Sequence, residues 1–156
     1  MDEFENKRGL LKHFIYEVKM MRADFFLLND IRYQNINGVI FESFLVHIRN
    51  LYEFFYKNVK FSLRGQAYVG HFVSTKFVTE KEDNNIIKIC REKINNNLSH
   101  LTYYRNNSEI NWRYFHLIYN HFKKLIIQFL EKISEGKYAN SELANLLKEL
   151  KEEKII

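Results

Sequence analysis

A histidine, an arginine and an asparagine stand inside an otherwise aromatic and aliphatic run, Glu42 to Tyr56, ESFLVHIRNLYEFFY. These side chains suit phosphate chemistry. A histidine near neutral pKa can move the proton of a 2′-hydroxyl or a leaving group, and an arginine can offset charge on a pentacoordinate phosphate. Helical geometry, at about 100° per residue, divides the set in two. Ser43, His47 and Asn50 share one flank, whereas Arg49 turns toward Glu42 and Glu53. Arg49 also has a plain use, an i,i+4 ion pair with Glu53 worth about 0.3–0.5 kcal/mol if exposed. A second polar cluster, His100, Thr102 and Arg105, closes the segment INNNLSHLTYYR, with His100 at the edge of its helix's apolar stripe.

Other chemistries find no support. A helical metal pair needs ligands three or four residues apart. His116 and His121 are five apart and diverge by about 140°, and no Asp or Glu is followed three residues later by His. Neither a metal nor a cofactor is therefore expected. Cys90 falls in an apolar stripe, where a buried thiol is inert. Nucleophile-elbow, Walker A and dinucleotide fingerprints do not occur in the sequence.

The elements that position these residues follow from apolar spacing. Residues 3–29 form a first helix with Leu11, Phe14, Ile15, Val18, Met21 and Phe25 on one face, and IRYQNING, ending at Gly38, connects it to the next. The second helix carries Ile40, Phe41, Phe44, Ile48, Leu51 and Phe55 as a stripe, widened by Leu45, Tyr52, Tyr56 and Phe54. Being apolar over more than half its circumference, it is expected to be central. The helical period is lost over 57–79, where partial alternation and two glycines suggest a long loop with a short hairpin. That insertion carries Lys57, Lys60, Arg64 and Lys76 with no acid between Glu53 and Glu80, and Lys57, Lys60 and Arg64 are its candidate phosphate ligands. Thr79 and Glu82 form a capping-box pattern ahead of a third helix, and Ser108 caps a fourth with Trp112, Phe115, Ile118, Tyr119, Phe122, Ile126, Phe129, Leu130 and Ile133 along its stripe. Gly136 ends that helix. Residues 141–156 form a last amphipathic helix, which either closes the core or offers a dimer surface.

Length and composition bound the whole. At 156 residues the chain reads as one domain, 1–156, large enough for a real core. A single cysteine excludes an internal disulfide, and no apolar run reaches the roughly 20 residues that span a bilayer, so a cytoplasmic protein without membrane contact is expected. The net charge of +5 admits an anionic partner, although an AT-rich coding bias toward Lys, Asn, Ile, Phe and Tyr produces the same excess. The 25 aromatic residues, 14 Phe, 10 Tyr and one Trp, are read as core because exposed aromatic patches are costly.

The phrases FESFLVHIRNLYEFFY and INNNLSHLTYYR resemble the most recognisable segments of an uncharacterised all-helical bacterial protein family, over about residues 38–105. Arg49-Asn50 in a mid-bundle helix is also similar to the HEPN superfamily of helical bundles. Active HEPN ribonucleases carry a histidine a few residues beyond such a pair, but Phe54, Phe55 and Tyr56 stand there in this sequence. The apolar patterns predict an all-α, up-and-down four-helix bundle with a long insertion after the second helix and an additional C-terminal helix, and the resemblance to bundles that commonly pair implies a homodimer. It implies a non-catalytic module that binds RNA or protein. The alternative is a metal-independent endoribonuclease with a rearranged site, in which Arg49 holds the phosphate, His100 replaces the missing histidine and Asn50 is a further candidate catalytic residue. A third class, a ligand-sensing bundle, would draw on the aromatic core and the basic insertion.

Overall fold

The computed structural model describes residues 3–56, 68–73, 94, 113–136 and 138–153. Four α-helices make up most of them: α1 (Glu3–Leu28), α2 (Asn37–Tyr56), α3 (Arg113–Ser134) and α4 (Ser141–Glu152). The fold is all-α. Each helix exists because its apolar residues recur at three- and four-residue spacing and so fall on one buried face. Val18 and Met21 of α1, Phe44 and Ile48 of α2, Phe115, Phe122 and Ile126 of α3 and Leu150 of α4 are all fully excluded from solvent. They belong to one continuous core.

The helix ends follow local hydrogen bonding. At the end of α1, the Asn29 side chain donates to the Phe25 carbonyl at 2.8 Å. Asp30 then accepts from the Arg32 amide at 3.0 Å, opening a 3-10 turn over Ile31–Ile36. This turn runs straight into α2, so Gly38 lies in the first turn of the helix rather than in the connection. Asn140 caps α4, its side-chain oxygen accepting from the Leu143 amide at 3.0 Å. Leu143, Leu146 and Leu150 are buried, so this last helix closes the core.

Within the basic insertion, Val69–His71 forms a 3-10 turn, and apart from residues 68–73 the expected loop and hairpin lie outside the described residues. Val69 is buried, and the Phe72 ring meets Phe54, Phe129 and Tyr138 at 5.5 to 6.1 Å between centroids, so aromatic packing holds this segment to the core. Of the expected third helix only Ile94 is described, and it is fully buried. Thr79, Cys90, Ser108 and Trp112 lie outside the described residues. No helix among the described residues is long and apolar enough to cross a membrane.

Candidate functional site

Ser43 and His47 of α2 are held by α1. Ser43 and His47 are four apart, hence about 6 Å along the helix axis, and Glu17 and Asp24 of α1 are seven apart, about 10 Å, within about 20° of one another around it. Antiparallel packing brings the two pairs into register. His47 Nδ1 lies 2.6 Å from Glu17 Oε2, and its Nε2 lies 3.9 Å from Asp24 Oδ2. Ser43 donates a hydrogen bond to the Asp24 carboxyl. His47 and Asp24 are both buried, and the exposed Tyr16 ring stands edge-on to the imidazole at 5.9 Å.

The electrostatics of this cluster are unequal. Burial pushes the Asp24 carboxyl above its ordinary range, and the Ser43 hydrogen bond and the nearby His47 reduce that rise without cancelling it. Asp24 Oδ2 is buried and has no hydrogen-bond partner. The carboxylate is therefore in an environment that disfavours its charge.

Asn50 leaves this buried line for the surface. It borders a cleft of about 150 Å³ with His13 and Glu17, above Phe14 and Phe54. Glu17 thus joins the buried His47 to an open polar edge. Arg49 is on another flank, about 40% exposed, with Nε 3.7 Å from Glu53 Oε1. The adjacent pair Arg49-Asn50 consequently serves two different surfaces. His100, Thr102, Arg105, Lys57, Lys60 and Arg64 lie outside the described residues.

Two further polar bridges tie the helices. Tyr56 Oη is 2.7 Å from His121 Nε2, with the rings 13° from parallel, joining α2 to α3. A larger network gathers around the end of α4. Glu153 receives Arg22 Nε at 2.9 Å and the Tyr119 hydroxyl through its carboxylate, and its carbonyl receives Lys123 Nζ at 2.9 Å. Arg22 also donates to Glu149 at 2.6 Å. Burial, then the Glu153 carboxylate beside it, pushes the Tyr119 hydroxyl far above the usual phenol range, so it stays a protonated donor. Two cations and two carboxylates balance in this network.

Sequence reasoning missed Glu17 and Asp24 because it weighed chemistry on the second helix, around His100 and in the basic insertion, and read the first helix for its apolar face alone. Their signal was present: two acids seven residues apart, at the margin of the α1 stripe beside Met21. Among the described residues, no group of three histidine, cysteine or carboxylate side chains is arranged to hold a metal. Fold and geometry together define an all-α protein whose polar interior joins helix to helix. No protein-family model, curated protein or solved structure matches the chain.

Proposed function

We propose that the protein is a non-catalytic helical module that binds RNA. The observation carrying this reading is the engagement of His47, the one histidine of α2: buried between Glu17 and Asp24, it holds α2 to α1. Arg49 faces a different flank and is beside Glu53. What supports RNA is the net charge of +5 together with the acid-free basic stretch containing Lys57, Lys60 and Arg64. This reading includes an up-and-down, HEPN-like arrangement of the helices and a homodimer working in the cytoplasm.

The test is fluorescence anisotropy with labelled single-stranded RNA, run beside a denaturing gel for cleavage. Binding through three phosphates should weaken roughly 20-fold between about 50 and 200 mM salt, from the single-strand counterion slope. Replacing Lys57, Lys60 and Arg64 by Gln should flatten that slope and leave the RNA intact. Cleavage that disappears in Arg49→Ala and His100→Ala would replace this reading with the rearranged ribonuclease. Absence of RNA binding at micromolar protein would shift the partner to a protein.

A further inference from the structure

The cleft of about 150 Å³ between α1 and α2 has a fixed acceptor on its lining, Glu17. His47 Nδ1 lies 2.6 Å from Glu17 Oε2, and because an ionised carboxylate only accepts, the imidazole is the donor in this contact. His47 is buried, so it holds the Glu17 carboxylate from the core side, while the Glu17 side chain remains 20% exposed. The other oxygen, Oε1, has no hydrogen-bond partner among the described residues. A ligand that meets this carboxylate must therefore bring donors.

The rest of the lining suits a flat heterocycle. His13 stands one turn before Glu17 on α1, and Asn50 enters from α2; both are exposed and neither has a polar partner among the described residues. Phe14, Leu51 and Phe54, all buried, form the apolar floor. At roughly 30 Å³ per water the cleft has the room of about five waters, enough for a single flat ring system and below the size of a drug-like ligand. Among such rings guanine matches the polar set. Its Watson–Crick edge presents an N1–H and an amino group beside the O6 acceptor, two donors for Glu17 and one acceptor for the Asn50 amide N–H. Adenine places a bare N1 lone pair where the carboxylate needs a donor. The His13 ring at the rim is of the kind on which an unpaired base stacks.

We propose that the cleft between α1 and α2 binds a guanine base, with Glu17 accepting from its N1–H and amino group, Asn50 donating to its O6, and His47 acting as the positioning residue that holds Glu17. The site is separate from the basic insertion and does not rest on the RNA reading. The base belongs either to a free guanine nucleoside or nucleotide, or to an unpaired guanine of an RNA.

Calorimetric titration of the full chain with guanosine tests the assignment, with inosine as the control that lacks only the amino group. Guanosine should bind about tenfold or more tightly than inosine, the gain expected from a charge-assisted hydrogen bond. Glu17→Gln keeps an acceptor for His47 and should abolish that preference. Asn50→Ala should weaken guanosine about three- to tenfold while melting at or above the wild-type temperature, because alanine is the better helix former. Failure of guanosine to bind, equal affinity for guanosine and inosine, or unchanged guanosine binding in either variant would overturn the proposal. Labelled RNA with an unpaired guanine separates the two sources: displacement by guanosine assigns the cleft to RNA, and guanosine binding without displacement assigns it to a free nucleoside or nucleotide. RNA binding without guanosine binding defeats the cleft and leaves the RNA reading standing; guanosine binding by a chain that takes no RNA does the reverse.

Discussion

Asp24 lies in an environment that opposes its own charge. Its carboxylate is buried, one oxygen is unpartnered, and its pKa is raised from 3.8 by desolvation ahead of the opposing effects of Ser43 and His47. A folded-state pKa above the unfolded value contributes stability that is complete below the unfolded pKa and is lost as pH rises through the folded one. Near neutrality the ionised Asp24 therefore costs stability. Asp24→Asn removes the charge and keeps an acceptor for Ser43, so it should melt above wild type at neutral pH. The gap should narrow as pH falls below 3.8, where the wild-type carboxyl carries its proton in both states. Melting curves of the two proteins across this range check the sign. A variant less stable than wild type at every pH would mean that the attraction between Asp24 and His47 outweighs desolvation.

At the scale of elements, α4 is fastened at its two ends by different means. Its start rests on the Asn140 cap, and its end on Glu153, whose side chain is only 6% exposed and pairs with Arg22 and Lys123. Removing one partner from a buried ion pair leaves uncompensated charge, and costs about 3–5 kcal/mol. Glu153→Ala should therefore lower stability by about 3 kcal/mol in urea titration, while Lys148→Ala, whose i,i+4 contact with Glu152 is exposed, should change it by less than about 0.5 kcal/mol. Much of this element plan was legible from apolar spacing, because a helix must bury its stripe: every residue of the α3 stripe from Phe115 to Ile133 is buried. The Glu153 network was not legible. It joins residues 131 positions apart, and neither Arg22 nor Glu153 differs in its own neighbourhood from a solvated surface charge. The same limit applied to His47, whose flank could be read from the helix wheel but whose partners on α1 depended on antiparallel register.

Across the whole molecule, aromatic rings do the joining that hydrogen bonds do locally. Phe129 of α3 meets Phe14 of α1 at 5.0 Å, Phe54 of α2 at 5.2 Å and Phe72 beside the Val69–His71 turn at 6.0 Å, each with rings more than 70° apart. These edge-to-face contacts add to the burial of the ring, each worth about 0.5–1.5 kcal/mol beyond area. One side chain thus couples three helices to the described part of the basic insertion. The abundance of phenylalanine pointed to such a core from composition alone; which ring would be its centre depended on how the stripes meet. Phe129→Ala should cost about 3–5 kcal/mol, a large share of the roughly 5–15 kcal/mol by which a domain is stable. For a chain of this length that corresponds to a melting temperature lower by roughly 6–20 °C. Because Phe72 loses its α3 neighbour in the same variant, hydrogen exchange at Val69–His71 should accelerate more than exchange in α4. Equal acceleration at both places would show that the ring stabilises the core as a whole without specially anchoring the insertion.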